Sequence, residues 1–317
     1  MDRDRIAIVG AGHVGATAAY ALMLRALFRE IILIDSDQAL AVAEAADIAD
    51  AGALARPGHI RAGDYADAAS ARIAVLTAGA ATHGSESRLD VAGRSAEIVR
   101  SCVRDLMAAG FDGIILVAAN PVDLMALVAM EASGLPAARV IGTGTLLDSN
   151  RLRREIARQL AVAPDSVEAM ILGEHGDTSF PALSLARVGG VALDQFAGTA
   201  LPVDALEIGR TVRRAAYEII EGKGYTSFGV ATAIVRICEA IARDEHAVLP
   251  VSTLLAGQYD IAGLYLSLPC VLGRAGIERV LTPQLSDGET AALVASADAI
   301  RKATQALGRT AQDVGPS

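Results

Sequence analysis

The sequence predicts an α/β protein: a doubly wound parallel sheet followed by a second unit of mixed helices and strands. In the first half, short β-branched runs alternate with longer helical patterns, which is typical of a parallel sheet covered by helices. The turn Gly10-Ala-Gly12-His13-Val14-Gly15 links the first strand to the first helix. Asp35 ends the second strand about 20 residues after the last glycine. Together these features predict a Rossmann-type sheet.

The first half contains five predicted strands and four predicted helices. The strands are Ile6–Val9, Ile31–Asp35, Ile73–Ala78, Gly113–Ala118 and Arg139–Gly142. The helices are His13–Phe28, Gln38–Ala51, Val91–Ala109 and Val122–Ser133. We place the domain border near Gly142–Leu146 without a flexible hinge, which predicts a nucleotide-binding domain at 1–144 and an α+β substrate-binding domain at 145–317.

The second half has a less regular order of elements. Its predicted strands are Val167–Leu172, a hairpin from Leu183–Val188 to Val191–Leu193 turning at Gly189-Gly190, Ala247–Leu255, Leu264–Val271 and Ile277–Val280. Its predicted helices are Leu147–Gln159, Val203–Glu221, Thr226–Arg243 and Asp287–Leu307. We find no internal repeat and no low-complexity linker.

The glycine-rich turn predicts a dinucleotide site. Gly10 permits the tight turn, Gly12 lets the backbone approach a pyrophosphate, and Gly15 lets the helix pack closely on the strand. The helix N-terminus then offers free N–H groups to the phosphates. Asp35 can accept hydrogen bonds from a ribose diol and would repel a 2′-phosphate, so NAD is favoured over NADP.

Composition and charge exclude several classes of function. The net charge of −9 disfavours nucleic acid as a partner and leaves no polybasic membrane patch. No uninterrupted apolar run reaches the length of a membrane span, and the first strand begins too early for a signal peptide. Cys102, Cys238 and Cys270 lie far apart without metal-ligand spacing, so we expect free thiols, no metal site and a cytoplasmic protein.

Four further segments carry polar side chains, three of them after strand ends and one at the opening of the long helix in the second half. They are Thr77-Ala78-Gly79 with Glu86-Ser-Arg88-Leu-Asp90, Asn120-Pro121-Val-Asp123, Leu147-Asp148-Ser-Asn-Arg151, and Gly173-Glu174-His175-Gly176-Asp177. With Lys223-Gly-Tyr-Thr226-Ser, their order resembles the L-lactate/malate dehydrogenase family, closer to its lactate branch. The resemblance extends from about Ile6 to the terminal helix. It implies an NAD-dependent oxidoreductase that interconverts small 2-oxo and L-2-hydroxy acids and forms a homodimer or homotetramer.

The central predicted residues are His175, Asp148 and Arg151. An unperturbed imidazole titrates near pH ~6.5 and can exchange a proton at neutral pH, although His175 taken alone fits an exposed turn histidine better. Asp148 and Arg151 share one helix face at i, i+3, which also fits a routine ion pair. The resemblance implies that Asp148 orients His175 and that Arg151 grips the substrate carboxylate.

The resemblance assigns the remaining site residues. It implies that Arg88 lies on a closing lid and polarises the reacting carbonyl, although the residue also reads as a solvated arginine. Asn120, before a possible cis-proline bond, would serve both substrate and nicotinamide. Thr226 would line the substrate pocket and Val230 the nicotinamide ring, with helix packing as the alternative. His13, Val14, Thr77, Ala78 and Gly79 complete the expected cofactor contacts.

Two positions depart from the family pattern. Thr82 stands where lactate dehydrogenases usually have Gln and malate dehydrogenases Arg. Threonine has no cation to pair with a second substrate carboxylate, so malate is disfavoured unless His83 turns inward. Because Thr is shorter than Gln, a 2-oxo acid larger than pyruvate remains an alternative substrate. Glu168 stands where some relatives use a His, beside an Arg matched by Arg153, to hold fructose 1,6-bisphosphate, so we expect no such activation. A catalytically idle NAD-binding module is the alternative of a different class.

Overall fold

The computed structural model describes residues 4–56, 58–80, 88–198 and 205–307, with residues 88–90, 205, 206 and 213 described by their backbone alone. The first half runs β1 (Arg5–Val9), α1 (His13–Arg25), β2 (Glu30–Ile34), α2 (Gln38–Ala55), β3 (His59–Ala62), α3 (Tyr65–Ala68), β4 (Ile73–Leu76), α4 (Arg88–Ala108), β5 (Ile114–Val117), α5 (Val122–Ser133) and β6 (Val140–Gly142).

The second half begins with α6, which follows β6 after three residues. Its elements are α6 (Leu146–Leu160), β7 (Val167–Glu168), β8 (Ile171–Leu172), β9 (Phe180–Pro181), β10 (Arg187–Val188), β11 (Val191–Ala192), α7 (Leu193–Ala197), α8 (Ala205–Lys223), α9 (Phe228–Ala242), β12 (Ala247–Ala256), β13 (Ala262–Gly273), β14 (Gly276–Val280) and α10 (Asp287–Ala306).

One nine-stranded sheet contains strands from both halves. Its order is β14-β13-β12-β6-β5-β4-β1-β2-β3. The six strands of the first half are parallel, in the doubly wound order 3-2-1-4-5-6. β12 then pairs antiparallel with β6 at Ser252 and Gly142, and β13 and β14 continue the antiparallel part. The predicted α/β class is confirmed.

Alternate residues of each parallel strand face opposite sides of the sheet. Ile6 and Ile8 of β1 belong to a core with residues of α1, α2 and α9. Ala7 and Val9 belong to a second core with residues of α4 and α5. Because both faces are covered, β4 and β5 are apolar throughout and β1 and β2 are apolar after their first residue, which is why the sequence predicts these four strands. No helix in the described ranges is long and apolar enough to span a bilayer.

The predicted strand Val167–Leu172 is wrong as a single element. β7 and β8 belong to separate small sheets, interrupted at Ala169 and Met170. Side chains of α6 form hydrogen bonds with the backbone at this interruption. Arg153 Nε donates to the carbonyl of Ala169 (3.0 Å), and Ser149 Oγ accepts from the Ile171 N–H (2.9 Å). These bonds replace a continuous strand ladder.

Other differences from the sequence prediction concern short or edge elements. β3 was missed because it is an edge strand in which only Ile60 is buried. The hairpin turns at Gly189 and Gly190 as predicted, but it pairs only over β10 and β11, since a 3-10 turn covers Leu183–Leu185. The helix predicted at Thr226–Arg243 begins two residues later, at Phe228.

Candidate active site

The glycine-rich turn has the geometry that a dinucleotide site requires. Gly10 has a φ of +107°, and a Cβ there would lie 2.6 Å from the amide nitrogen of Ala78. A Cβ on Gly15 would lie 1.8 Å from the carbonyl oxygen of Gly10, so the helix and the turn are in direct backbone contact. Gly12 faces open space and caps α1, whose first turn carries no acidic side chain. The free N–H groups of the first turn of α1 can therefore donate hydrogen bonds to phosphate oxygens.

Asp35 follows β2 and is fixed against this turn. Its Oδ2 accepts the N–H of Ala11 (2.6 Å), and its Oδ1 accepts the N–H of Asp37 (2.9 Å). Thr77 secures the other side of the turn by donating its hydroxyl to the carbonyl of Gly10 (2.7 Å). These three hydrogen bonds hold polar groups beside the path that a ribose and diphosphate would take.

A cavity of about 550 Å³ opens between these groups. It lies outside the carboxyl ends of β1 and β4, where the strand order reverses and where α/β sheets bind ligands. Six of the predicted cofactor residues line it: Gly10, Gly12, Asp35, Thr77, Ala78 and Gly79. The residues present thus fit a dinucleotide in shape and in the chemistry of their donors and acceptors.

Asp148 joins the two side chains that were predicted to act with it. Its Oδ2 lies 2.7 Å from Nδ1 of His175, and its Oδ1 accepts from Nη1 of Arg151 at 2.9 Å. Asp148 lies in the first turn of α6, where the helix dipole favours a carboxylate. Because the carboxylate faces Nδ1, that nitrogen carries the proton and Nε2 is left to exchange protons with a ligand.

The pKa values of this pair move apart. Burial alone would lower the pKa of His175, but the hydrogen bond and charge of Asp148 outweigh burial and raise the pKa above its ordinary value. Burial alone would raise the pKa of Asp148, but the hydrogen bond and charge of His175, followed by Arg151, lower it. The pair therefore favours an imidazolium next to a carboxylate.

Asp123 is a further candidate site residue, which stands in the Asn120-Pro121-Val-Asp123 motif but was given no role from the sequence. It lies in the first turn of α5, is 1% exposed, and accepts the backbone N–H of His175 on Oδ2 at 2.7 Å. The hydroxyl of Ser252 on β12 donates to its Oδ1. Burial raises the pKa of Asp123 to about 6 against these two hydrogen bonds. A carboxylate at N-P-x-D spacing was the available signal.

The loop that carries His175 is held at several further points. Ser296 of α10 accepts the N–H of Glu174 (3.2 Å) and donates to the carbonyl of Thr178 (2.8 Å). The hydroxyl of Tyr217 on α8 donates to Asp177 (3.1 Å). The loop is thus held by α5, α8 and α10, and the imidazole itself by Asp148 of α6, which gives the fixed position that a proton-transferring group requires.

A small cavity brings His175 to the dinucleotide side of the sheet. Asn120, Gly144, Leu147, His175 and Val230 line it. The peptide bond from Asn120 to Pro121 is cis, the isomer that the sequence left open. Val14 is half-buried and packs against the core that contains α9. The structure therefore joins Asn120 and Val230 to His175.

Other predicted residues are less fully defined. Thr82 and His83 lie outside the described residues, and Arg88 begins α4 with its side chain outside them. Thr226 is half-buried and precedes α9 by two residues. Arg153 is partly buried; burial lowers its pKa, and the charge of Glu168 acts in the opposite direction. The charges at the two positions that correspond to the bisphosphate site of some family members therefore influence each other.

Comparisons with known proteins agree with this geometry. The family model described as lactate/malate dehydrogenase, NAD binding domain, matches residues 4–142, and the corresponding alpha/beta C-terminal domain matches residues 145–308. An L-lactate dehydrogenase of Thermus aquaticus is 44% identical over 308 residues, which cover 96% of this chain and 99% of the relative.

Solved structures show the same fold over nearly the full length. A lactate dehydrogenase from a Medee basin deep-sea metagenome library matches with a TM-score of 0.95 and 39% identity, covering 98% of this chain and 100% of that one. The minor L-lactate dehydrogenase of Enterococcus mundtii, in its ligand-bound form, matches with a TM-score of 0.92 and 36% identity, covering 99% of each chain.

Proposed function

The chain belongs to the lactate/malate dehydrogenase family, and on that premise we infer that it is an NAD-dependent L-2-hydroxy acid dehydrogenase of the L-lactate dehydrogenase kind. It interconverts a 2-oxo monocarboxylate such as pyruvate with the corresponding L-2-hydroxy acid. The observation that carries this proposal is the bridge from His175 through Asp148 to Arg151, beside the cavity that Asn120 and Val230 share.

His175 moves the proton of the reaction at Nε2. In the reducing direction the imidazolium donates this proton to the substrate carbonyl oxygen, and in the oxidising direction the neutral imidazole removes it from the hydroxyl. Asp148 holds the proton on Nδ1 and stabilises the imidazolium, as a carboxylate does in hydrolase triads. NAD, when bound along the glycine-rich turn, supplies the hydride chemistry.

Arg151 binds the substrate carboxylate. Asp148 occupies one Nη of its guanidinium, and the remaining N–H groups of the planar fork can form two parallel hydrogen bonds with a second carboxylate. Arg88, the first residue of α4, is proposed to approach the carbonyl oxygen, and Thr226 to line the opposite wall of the pocket.

Thr82 decides between pyruvate-like and malate-like substrates. Oxaloacetate has a second carboxylate, and leaving that charge without a cation in a closed site costs several kcal/mol. Thr is also shorter than Gln, which leaves room for a larger aliphatic or aromatic side chain. We therefore propose that 2-oxo monocarboxylates are preferred, and that the chain is not a malate dehydrogenase.

A panel of 2-oxo acids tests this function. Pyruvate, longer 2-oxo acids and oxaloacetate are compared by kcat/KM through the oxidation of NADH, and oxaloacetate as the best substrate would refute the assignment. His175→Ala should bind NADH normally and lose turnover, whereas His59→Ala, at an exposed position of β3, should retain both. An H175A variant that turns over normally would exclude the proposed proton donor.

Assembly, location and regulation are further parts of the proposal. Exposed apolar side chains on α1 and α2, namely Tyr20, Leu24, Leu40 and Val42, support a homo-oligomer, which light scattering after gel filtration would measure. The three free cysteines support a cytoplasmic location. Glu168 repels phosphate, so fructose 1,6-bisphosphate should not increase activity in the same assay.

A further inference from the structure

The glycine-rich turn touches the second half of the chain through two stacked rings. The imidazole of His13, the first residue of α1, lies on the phenol ring of Tyr225, with ring centroids 3.9 Å apart and planes 9° from parallel. Tyr225 belongs to the connecting segment, residues 224–227, between α8 and α9. The stack therefore joins the dinucleotide side of the sheet to the segment that precedes α9.

A lysine ties the two ends of the connecting segment together. Nζ of Lys223, the last residue of α8, lies 4.3 Å from the ring centroid of Tyr225 and 4.4 Å from that of Phe228, the first residue of α9. An ammonium group is attracted to the negative face of each ring. We call His13, Lys223, Tyr225 and Phe228 the aromatic clasp.

Core packing does not account for the aromatic clasp. Tyr225 is 37% exposed and Phe228 is 71% exposed, so neither ring is placed by burial. The rings instead surround a segment whose position matters for the site. Thr226 is adjacent to Tyr225, and α9 carries Val230 into the cavity lined by His175.

We propose that the aromatic clasp positions the connecting segment against the bound dinucleotide, with Tyr225, Lys223 and Phe228 as positioning residues. This proposal rests on the proposed function. A diphosphate at the N-terminus of α1 would lie beside His13, and Tyr225 directly precedes Thr226, which is proposed to line the substrate pocket. Because the stack connects these two positions, binding of the cofactor and binding of the 2-oxo acid should reinforce each other. None of the three positioning residues touches the reacting atoms.

A double-mutant cycle on His13 and Tyr225 tests the aromatic clasp. NADH affinity is measured by fluorescence titration, and kcat and KM for the preferred 2-oxo acid are measured with each variant. His13→Ala and Tyr225→Ala should each weaken NADH binding by about two- to twelvefold, the range expected for loss of an aromatic pair. In Tyr225→Ala, KM for the 2-oxo acid should rise while kcat stays within about twofold.

The double variant distinguishes a shared contact from two separate ones. If NADH affinity depends on the stack, the double variant H13A/Y225A should bind NADH about as tightly as whichever single variant binds it less tightly. Tyr225→Phe keeps the ring and should bind NADH like the wild type. The proposal would be overturned if the two single-variant losses of NADH affinity multiplied in the double variant, or if the kcat of Y225A collapsed. Single variants that bind NADH like the wild type would also overturn it. Phe196→Ala removes an exposed ring on α7 and should leave NADH binding unchanged; a comparable loss there would also overturn it.

The two proposals fail in different ways. A wild-type protein that neither binds NADH nor reduces any 2-oxo acid would refute the proposed function. A wild-type protein that does both, with H13A and Y225A indistinguishable from it, would refute only the aromatic clasp.

Discussion

Replacing Asp148 with Asn removes the charge next to His175 while keeping the shape of the side chain. Nδ1 of His175 and Oδ2 of Asp148 are 2.7 Å apart, and the side chains are 28% and 11% exposed. Two unit charges about 4 Å apart attract by about 4 kcal/mol at an effective dielectric of about 20. Because the imidazole is partly exposed, solvent screening reduces this attraction to about 2–3 kcal/mol. Losing that stabilisation of the imidazolium should lower kcat by about 30- to 160-fold.

The pH dependence gives the sharper test of the same variant. Reduction needs the imidazolium, and Asp148 raises the pKa of His175, so removing the carboxylate lowers that pKa. The pH at which reduction of the 2-oxo acid declines should therefore move to lower pH, as seen in kcat/KM profiles followed by NADH absorbance. NADH affinity should stay unchanged, because Asp148 lies outside the dinucleotide cavity.

Asp165→Asn is the matched control, since this exposed carboxylate lies after the same helix. It should change neither kcat nor the pH profile. The reasoning would be refuted if D148N kept kcat within about threefold of the wild type with the same pH midpoint.

Four further predictions follow from the same contacts. Arg151→Lys should lower kcat/KM by about 10- to 100-fold through loss of the bidentate grip, and a twofold change would contradict it. Asp123→Asn should remain folded but move the reduction profile to lower pH, because its charge also raises the pKa of His175; an unmoved profile would count against this. Gly15→Ala should abolish tight NADH binding, since the new Cβ overlaps the carbonyl of Gly10. D148N should lower the Tm most between about pH 4 and about pH 6.5, and a loss independent of pH would contradict the linkage.

The sign of the last prediction follows from the two shifts. The lowered pKa of Asp148 adds stability above its unfolded value near 3.9, and this stability is lost as pH falls through the folded value. The raised pKa of His175 adds stability below its unfolded value near 6.5, and this stability is lost as pH rises through the folded value. Thermal melts at several pH values measure the difference between D148N and the wild type.

Two of these variants have close controls within the chain. Arg158→Lys changes an arginine on the outer face of α6 and should leave kcat/KM unchanged. Gly288→Ala adds a Cβ in open space at the start of α10 and should leave NADH affinity unchanged.

Local patterns in the sequence were sufficient for the dinucleotide side of the molecule. The spacing of Gly10, Gly12 and Gly15 followed by Asp35 is set by one strand, one helix and the next strand, all adjacent along the chain. The buried parallel strands were recognised because both faces are covered and the runs are apolar throughout. β3 lacks such a run, so its register against β2 was not visible in the sequence.

Groups brought together by the tertiary fold were harder to predict. His175 and Asp148 lie on separate elements, and only the resemblance to a family paired them. Asp123 accepts a backbone N–H of His175, a contact that the N-P-x-D spacing alone does not reveal. The contact of His13 with Tyr225 joins opposite parts of the chain, and neither residue alone indicates it.

The shared sheet has a consequence for attempts to divide the chain. β6 is an interior strand only because β12 pairs with it at Ser252. A fragment ending at residue 144 would leave β6 as a bare edge, with unpaired N–H and C=O groups that can recruit another copy and promote aggregation. The nucleotide-binding half thus depends on the rest of the chain for protection from self-association.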